Sequence, residues 1–184
     1  MISTFKSKLH HYKEQNKLNA FELIACAALE QAIVALSKNN FGVGAAIATI
    51  EGKLLVTGRN HVFNPQFNSS LHAEMDALNN FENSIYHSQY EPNELMLITT
   101  LEPCMMCMGR TLMSSIKHIY WLSDDQGGGA ARLLSHLPEV FYMLQQMKRF
   151  EPAICSDFLK QLANHVFCHN AAELCKKFGI ECEI

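Results

Sequence analysis

The sequence has few charged residues, no long uninterrupted apolar run and no basic excess, and each absence excludes a class of protein. Charged residues make up 18% of the 184 residues and hydrophobic residues 48%, so we expect one globular domain with a substantial core rather than disorder. No apolar run approaches the roughly 18 residues that a membrane span needs. The net charge of −3 argues against a strongly basic nucleic-acid binder, although a local basic patch stays compatible with it.

Cysteine use and the N-terminal segment indicate a reducing compartment. The seven cysteines are too few for a disulfide scaffold of this size, and their number is odd. Residues 1–19 contain scattered lysines but no apolar segment of the signal-peptide type, so no secretory signal is expected. We therefore expect a cytoplasmic protein without membrane association, whose reduced thiols are available as metal ligands or catalysts.

Hydrophobic patterning divides the chain into a lead-in segment (1–19), an α/β domain (20–135) and a helical C-terminal extension (136–184). Asn19 followed by Glu22 forms a capping-box pattern at the start of an apolar helix. The predicted strands cover residues 44–50, 54–60, 95–100 and 118–123. The predicted helices cover residues 20–36, 72–81, 103–115, 138–150, 156–167 and 170–179. Strands that alternate with helices indicate a layered α/β domain.

Two short segments carry the residue types of a metal site. The first is His72-Ala73-Glu74, at the start of a predicted helix, and the second is Pro103-Cys104-Met105-Met106-Cys107, between a predicted strand and a predicted helix. Cysteines three residues apart share one helix face, and a helix N-terminus lowers thiol pKa values and so favours the thiolate that binds zinc. His72, Cys104 and Cys107 would supply three protein ligands, the number in a catalytic zinc site that keeps its fourth position for water.

Glu74 is the candidate for proton transfer. It lies two residues after His72 and would point near the metal without having to bind it. A carboxylate beside a metal-activated water can take its proton and deliver it to a leaving group. This division of roles suits hydrolytic deamination, in which water replaces an amine on a ring carbon and ammonia is released.

The motifs H-x-E and P-C-x-x-C are the signature of zinc nucleobase deaminases, and the chain resembles the cytidine and deoxycytidylate deaminase superfamily over about residues 20–130. The resemblance also includes Asn60, and it is nearest to the branch of bacterial guanine deaminases and tRNA adenosine deaminases. It implies a three-layer α/β/α sandwich with a central mixed sheet, one zinc ion per chain and a homodimer. It implies as well that Asn60 contacts the bound base, although asparagine is also common in turns at strand ends.

Other candidate contacts to the substrate follow from position in the chain. The backbone N–H of Ala73 lies in a first helical turn, where it has no intrahelical acceptor and is available to a substrate. Asp124 and Asp125 follow the fourth strand, at the edge where open α/β sheets bind ligands, and either carboxylate would accept hydrogen bonds from N1–H and the 2-amino group of guanine. A solvated loop aspartate is an equally good interpretation of each one. Glu102 is expected to hold the loop before Pro103 rather than to take part in chemistry.

The expected substrate is a small free ring, in the first place a purine base such as guanine. The main alternative, adenosine in tRNA, would need basic side chains along the RNA backbone and aromatic rings for its bases. From residue 135 onward the chain has five lysines and arginines against six acidic residues, so it contains no basic stripe. A third alternative is a non-catalytic protein that is stabilised by zinc or binds a partner. Glu74 argues against it, since a structural site closes its fourth position with a fourth ligand.

Overall fold

The computed structural model describes residues 2–181 as a sheet with helices on both faces. The helices are α1 (Ile2–Gln15), α2 (Ala20–Ser37), α3 (Ala73–Glu82), α4 (Met105–Met113), α5 (Glu139–Gln146) and α6 (Asp157–Lys176). The strands are β1 (Gly44–Thr49), β2 (Leu54–Arg59), β3 (Leu95–Leu101), β4 (His118–Ser123) and β5 (Arg149–Pro152). Short 3-10 helices cover Ile85–Ser88, Pro92–Glu94 and Ala131–His136.

The five strands form one mixed sheet in the order β2-β1-β3-β4-β5. β1 runs antiparallel to both β2 and β3, whereas β3, β4 and β5 run parallel to one another. β1 and β3 are buried along their whole length, which is typical of central strands covered on both faces. A separate buried cluster lies on each side of the sheet, and the expected three-layer α/β/α sandwich is confirmed.

Helix α2 is seated unusually close to the sheet. It begins at the expected capping box, in which Glu22 N donates to Asn19 Oδ1 at 2.9 Å. Gly44 of β1 packs against the α2 backbone at Ala28, where any side chain would collide. By length and mean hydropathy α2 has the character of a membrane-spanning helix, but half of it is buried in this fold, as in the core helix of a globular protein.

The lead-in segment forms a helix that packs into the same layer. Phe5 and Leu9 of α1 are buried in the cluster that α2 and α6 share. The Tyr12 hydroxyl donates to Ser156 Oγ at 2.7 Å, and the Tyr12 ring stacks on Phe158 at a centroid distance of 4.6 Å. α1 therefore fastens the beginning of α6 to the rest of the layer.

Two predictions for the C-terminal region are wrong. The helix predicted over residues 138–150 ends at Gln146 as α5, and Arg149–Pro152 pairs with β4 as the edge strand β5. Only Phe150 of these four residues is buried, so the segment is too short to show the alternation of apolar and polar residues that predicts a strand. The predicted break before Asn170 is also absent, because α6 continues through it and the Asn170 side chain donates to Asn40 O instead of capping a new helix.

A lysine caps the helix that carries the cysteine motif. Lys148 Nζ lies 2.6–3.0 Å from the carbonyl oxygens of Thr111, Ser114 and Ile116. These carbonyls lie at or just beyond the C-terminus of α4, where helical partners are lacking. Burial, together with the nearby Lys117, lowers the pKa of Lys148 to about 8, so most of it stays protonated at neutral pH and donates to all three.

Candidate active site

The two sequence motifs meet where α3 and α4 begin. His72 is the N-cap residue of α3, Cys104 is the N-cap residue of α4, and Cys107 lies in the first turn of α4. Their ligand atoms all lie within 4.8 Å of one another, and His72 Nδ1 is 3.6 Å from Cys104 Sγ. The structure thus brings together the three ligands that the sequence predicted, at two helix N-termini.

The chemistry of this cluster fits a zinc ion. The hydrogen bond with Cys107 lowers the pKa of Cys104 to about 4 against the opposing effect of burial, with a further contribution from His72. The same hydrogen bond raises the pKa of Cys107, together with burial and the nearby Glu74. Burial opposes protonation of His72, but its contact with Cys104 raises its pKa overall. An imidazole and two cysteine sulfurs held this closely are a zinc ligand set with three members, and one Zn²⁺ per chain is the cofactor.

Glu74 provides a buried carboxyl group beside these ligands. It is 3% exposed and lies in the first turn of α3. Burial raises the pKa of this carboxyl group, against the opposing effects of its own backbone N–H and of His72. A carboxyl group in this environment is suited to accept a proton and give it back.

Asn60 and Ala73 stand at the two ends of the loop that enters α3. Asn60 is 2% exposed, its backbone N–H donates to Val43 O at 3.0 Å, and its Oδ1 accepts from Val62 N at 3.1 Å. Its side chain is therefore held in a fixed orientation at the end of β2. Ala73 is the first residue of α3 and is fully buried beside His72, and its N–H belongs to the turn that lacks intrahelical acceptors. Contact of either residue with substrate stays a prediction.

The carboxylates of Asp124 and Asp125 stabilise their own loop. Trp121 Nε1 donates to Asp124 Oδ1 at 2.7 Å. The backbone N–H groups of Gly127 and Gly128 donate to Asp125 Oδ1 at 3.0 and 2.9 Å. These hydrogen bonds support the interpretation of both residues as loop aspartates. Contact of either carboxylate with a bound base stays a prediction.

Glu102 holds the loop next to the cysteine motif, as expected. Asp125 N donates to Glu102 Oε2 at 3.0 Å, and Ala131 N donates to Glu102 Oε1 at 2.8 Å. Gly129 packs on the same carboxyl group and forms a β-bridge with Cys104. One side chain therefore joins the 124–131 loop to the segment that presents a zinc ligand.

Two asparagines of helix α6 make contacts that sequence reasoning missed. Asn164 Nδ2 donates to Ser123 Oγ at 3.3 Å, at the carboxyl end of β4. Asn170 Nδ2 donates to Asn40 O at 3.0 Å, while Asn40 Oδ1 accepts from Phe63 N at 2.8 Å. No local pattern indicates these contacts, because each one joins segments that are far apart in the chain.

The sequence matches the family model described as the cytidine and deoxycytidylate deaminase zinc-binding region over residues 16–123. It is 35% identical over 104 residues to a tRNA-specific adenosine deaminase of Rickettsia felis, which covers 56% of this chain and 70% of the relative. It is 32% identical over 114 residues to a tRNA-specific adenosine deaminase of Streptococcus pyogenes serotype M18, which covers 61% and 69%. The family match ends at Ser123, before β5 and α6.

Solved structures of two kinds share the fold. The guanine deaminase from Nitrosomonas europaea superimposes with a TM-score of 0.62 at 19% identity, over 83% of this chain and 87% of that one. A structure from a study of tRNA:A34 deaminases, which edit A to I at the wobble position, superimposes with a TM-score of 0.57 at 22% identity, over 79% and 97%. At these identities the likeness concerns the fold.

Proposed function

Because the chain belongs to the cytidine and deoxycytidylate deaminase family and is a zinc-dependent hydrolytic deaminase, we propose that its substrate is a free purine base, in the first place guanine. The observation that carries this proposal is the position of α6. The helix is tied to the carboxyl end of β4 through Asn164 and to the segment before β1 through Asn170. A free base needs only a small opening, whereas a base in an RNA loop brings its sugar and phosphates with it.

The charge distribution supports a small substrate as well. From residue 135 onward acidic side chains slightly outnumber lysines and arginines. An RNA backbone needs neutralisation by a run of basic side chains, since phosphate contacts dominate affinity. This part of the chain is therefore poorly suited to hold a tRNA.

Selection of guanine would use the aspartates after β4. The hydrogen bonds that shape their loop engage Oδ1 of Asp124 and Oδ1 of Asp125. A carboxylate accepts about four hydrogen bonds, so each group retains capacity to accept from a ligand. N1–H and the 2-amino group of guanine both donate, and one carboxylate facing them would favour guanine over adenine.

The described residues account for the chemistry. His72, Cys104 and Cys107 would hold zinc, which supplies the activation of a water molecule when it is bound. Glu74 takes a proton from the attacking water and delivers it to the ring nitrogen, and then transfers the second proton to the leaving amine. A C–O bond forms, a C–N bond breaks and ammonia leaves. Asn60 and the Ala73 N–H orient the ring.

The second candidate is adenosine in tRNA, and its support is the similarity to tRNA-specific adenosine deaminases. The proposal is tested by ammonia release from zinc-loaded protein with guanine, adenine, cytosine, their nucleosides and nucleotides, and an anticodon stem-loop RNA. Release from guanine with little from RNA is expected. Release from the RNA alone would refute the free base and favour the second candidate. Glu74→Gln serves as the blank, since it removes the proton carrier and keeps the zinc ligands.

We further propose that two copies of the chain associate. Three methionines of α4, Met105, Met106 and Met113, are 59%, 37% and 70% exposed, and exposed methionines are common at protein interfaces. Sedimentation equilibrium is expected to give twice the mass of the chain. Met113→Glu should shift the mass toward that of one chain, and a wild-type protein of single-chain mass at micromolar concentration would contradict the proposal.

A further inference from the structure

One carboxylate of α3 contacts the residues on both sides of Asn60. Asp76 Oδ2 accepts from the backbone N–H of Arg59 at 3.0 Å and lies 3.4 Å from Nε2 of His61. The side chains of His61 and Asp76 are 21% and 22% exposed, so these contacts are mostly shielded from water. Asp76 follows Glu74 by two residues on the same helix. A single oxygen atom therefore joins the helix that carries the proton carrier to both neighbours of the asparagine.

The hydrogen bond to Asp76 uses the open edge of β2, which is the edge strand of the sheet. Gly44 of β1 lies opposite Arg59, and Asn60 N donates to Val43 O at 3.0 Å. Because hydrogen-bonded and non-hydrogen-bonded pairs alternate along an antiparallel ladder, the N–H of Arg59 points away from β1. An N–H on the outer side of an edge strand has no neighbouring strand to accept its bond. The Asp76 carboxylate is its acceptor instead.

One turn later on α3, a second side chain bonds to the same edge of β2. Asn80 Nδ2 donates to the carbonyl oxygen of Thr57 at 2.9 Å. Residues four apart share a helix face, and residues two apart share one side of a strand, so the two hydrogen bonds run side by side. Between them Gly58 packs on the α3 backbone at Ala77, where any side chain would collide. β2 and α3 are therefore in direct backbone contact, and Asp76 makes the bond that lies nearer the end of the strand.

We propose that Asp76 is a positioning residue that holds Asn60 in the orientation required by the substrate. This inference rests on the proposed function, since it takes Asn60 as a residue that orients the bound ring. The bond from Val62 N fixes the Asn60 side chain relative to its own loop, and Asp76 fixes that loop relative to α3. Together these contacts set where the Asn60 amide stands relative to Glu74. In this role Asp76 acts through Asn60 and does not itself contact the substrate.

The first test separates binding from turnover in ammonia release from guanine by zinc-loaded protein. Asp76→Ala removes the acceptor, and KM is expected to rise roughly tenfold. The value of kcat is expected to change less than about threefold, because the zinc ligands and Glu74 are kept. Asp76→Asn keeps an acceptor oxygen for the Arg59 N–H, and it is expected to restore KM to within about threefold of the wild-type value.

Asn80→Ala is the matched control for Asp76→Ala. It removes a hydrogen bond from the same helix face to the same strand edge, but at Thr57 instead of at the neighbours of Asn60. If Asp76 acts through Asn60, the control keeps the wild-type KM. A general loosening of the contact between α3 and β2 would instead raise KM in both variants.

The second test does not depend on which ring is deaminated. Amide hydrogen exchange of the zinc-loaded protein is followed by NMR at the backbone N–H groups of Arg59 and Asn60. Asp76→Ala is expected to speed exchange of both groups roughly tenfold, and Asn80→Ala less than about twofold. If Asp76→Ala does not fold, His61→Ala removes the other contact of the same carboxylate oxygen, and it is expected to speed exchange at Asn60.

The outcomes separate this inference from the proposed function. Equal rises in KM for Asp76→Ala and Asn80→Ala, or unchanged exchange at Asn60, would overturn the positioning role. A fall in kcat with loss of bound zinc would also overturn it, because the helix rather than Asn60 would then be what Asp76 holds. A rise in KM for the stem-loop RNA, in a protein that releases no ammonia from guanine, would support the positioning role and refute the free base.

Discussion

Replacing Glu102 by glutamine should loosen the active-site loop while preserving side-chain shape. The carboxylate accepts from Asp125 N at 3.0 Å and from Ala131 N at 2.8 Å, one bond on each oxygen. Glutamine keeps one acceptor oxygen and turns the other position into an NH₂ group. One of the two backbone N–H groups then faces this NH₂ group, which is itself a donor, and loses its acceptor.

The free-energy cost of the Glu102→Gln substitution follows from these two hydrogen bonds. An unsatisfied N–H in a partly buried position costs about 1–3 kcal/mol, and the remaining bond loses roughly 1 kcal/mol of charge assistance. The expected loss in the free energy of unfolding is therefore about 3 kcal/mol. For a chain of this length that corresponds to a decrease in Tm of roughly 6–12 °C.

Thermal unfolding of zinc-loaded Glu102→Gln measures this loss, with Glu173→Gln on the exposed face of α6 as the matched control. The control is expected to change the free energy of unfolding by less than about 0.5 kcal/mol. The loop also bridges to Cys104, so zinc affinity should fall in Glu102→Gln and not in the control. Equal Tm values for the two variants would refute the assignment of Glu102 as the residue that holds this loop.

Three further predictions concern the metal and the helix that carries its ligands. Glu74→Gln should bind one zinc ion per chain and lose turnover by about 10²–10⁴-fold, and a variant with wild-type turnover would exclude Glu74 as the proton carrier. Cys104→Ser should lose bound zinc in elemental analysis together with activity, because two protein ligands do not hold the ion as three do; full metal content would count against its role as a ligand. Lys148→Met should lower the free energy of unfolding by about 2–4 kcal/mol through loss of charged hydrogen bonds to three carbonyl groups. Urea denaturation measures that loss, the exposed Lys8→Met is its control, and equal midpoints for the two would contradict the capping role of Lys148.

The zinc ligands could be predicted because each one lies in a short segment with a recognisable residue pattern. His72 and Cys104 both occupy N-cap positions, and Cys107 follows on the same helix face, so local spacing places each ligand at a helix N-terminus. The deaminase signature then pairs the two segments, which lie 32 residues apart. The capping box at Asn19 and Glu22 is equally local and is also confirmed. Such features depend on residues at most a few positions apart, and this is why single-sequence reasoning finds them.

The contacts of β5 and α6 could not be predicted, because they join segments that are far apart in the chain. β5 exists through pairing with β4, and a four-residue edge strand with one buried residue leaves no pattern to detect. Asn170 looks like a helix cap in sequence, but its side chain reaches Asn40, 130 residues away in the chain. The rings of Phe63 and Phe178, with centroids 5.5 Å apart, likewise join the 61–71 loop to the end of α6, and neither segment alone indicates the other.

The zinc-binding residues and helix α6 lie on different sides of the point where the family match ends. All three zinc-binding side chains and Glu74 lie before residue 108, within the segment that matches the family, whereas α6 is the last helix of the described chain and lies beyond that match. Substitutions in α6 therefore fall outside the segment that carries the reacting groups. During synthesis the groups that hold the metal also leave the ribosome well before α6. A lineage can accordingly vary the end of the chain and keep the residues of its chemistry unchanged.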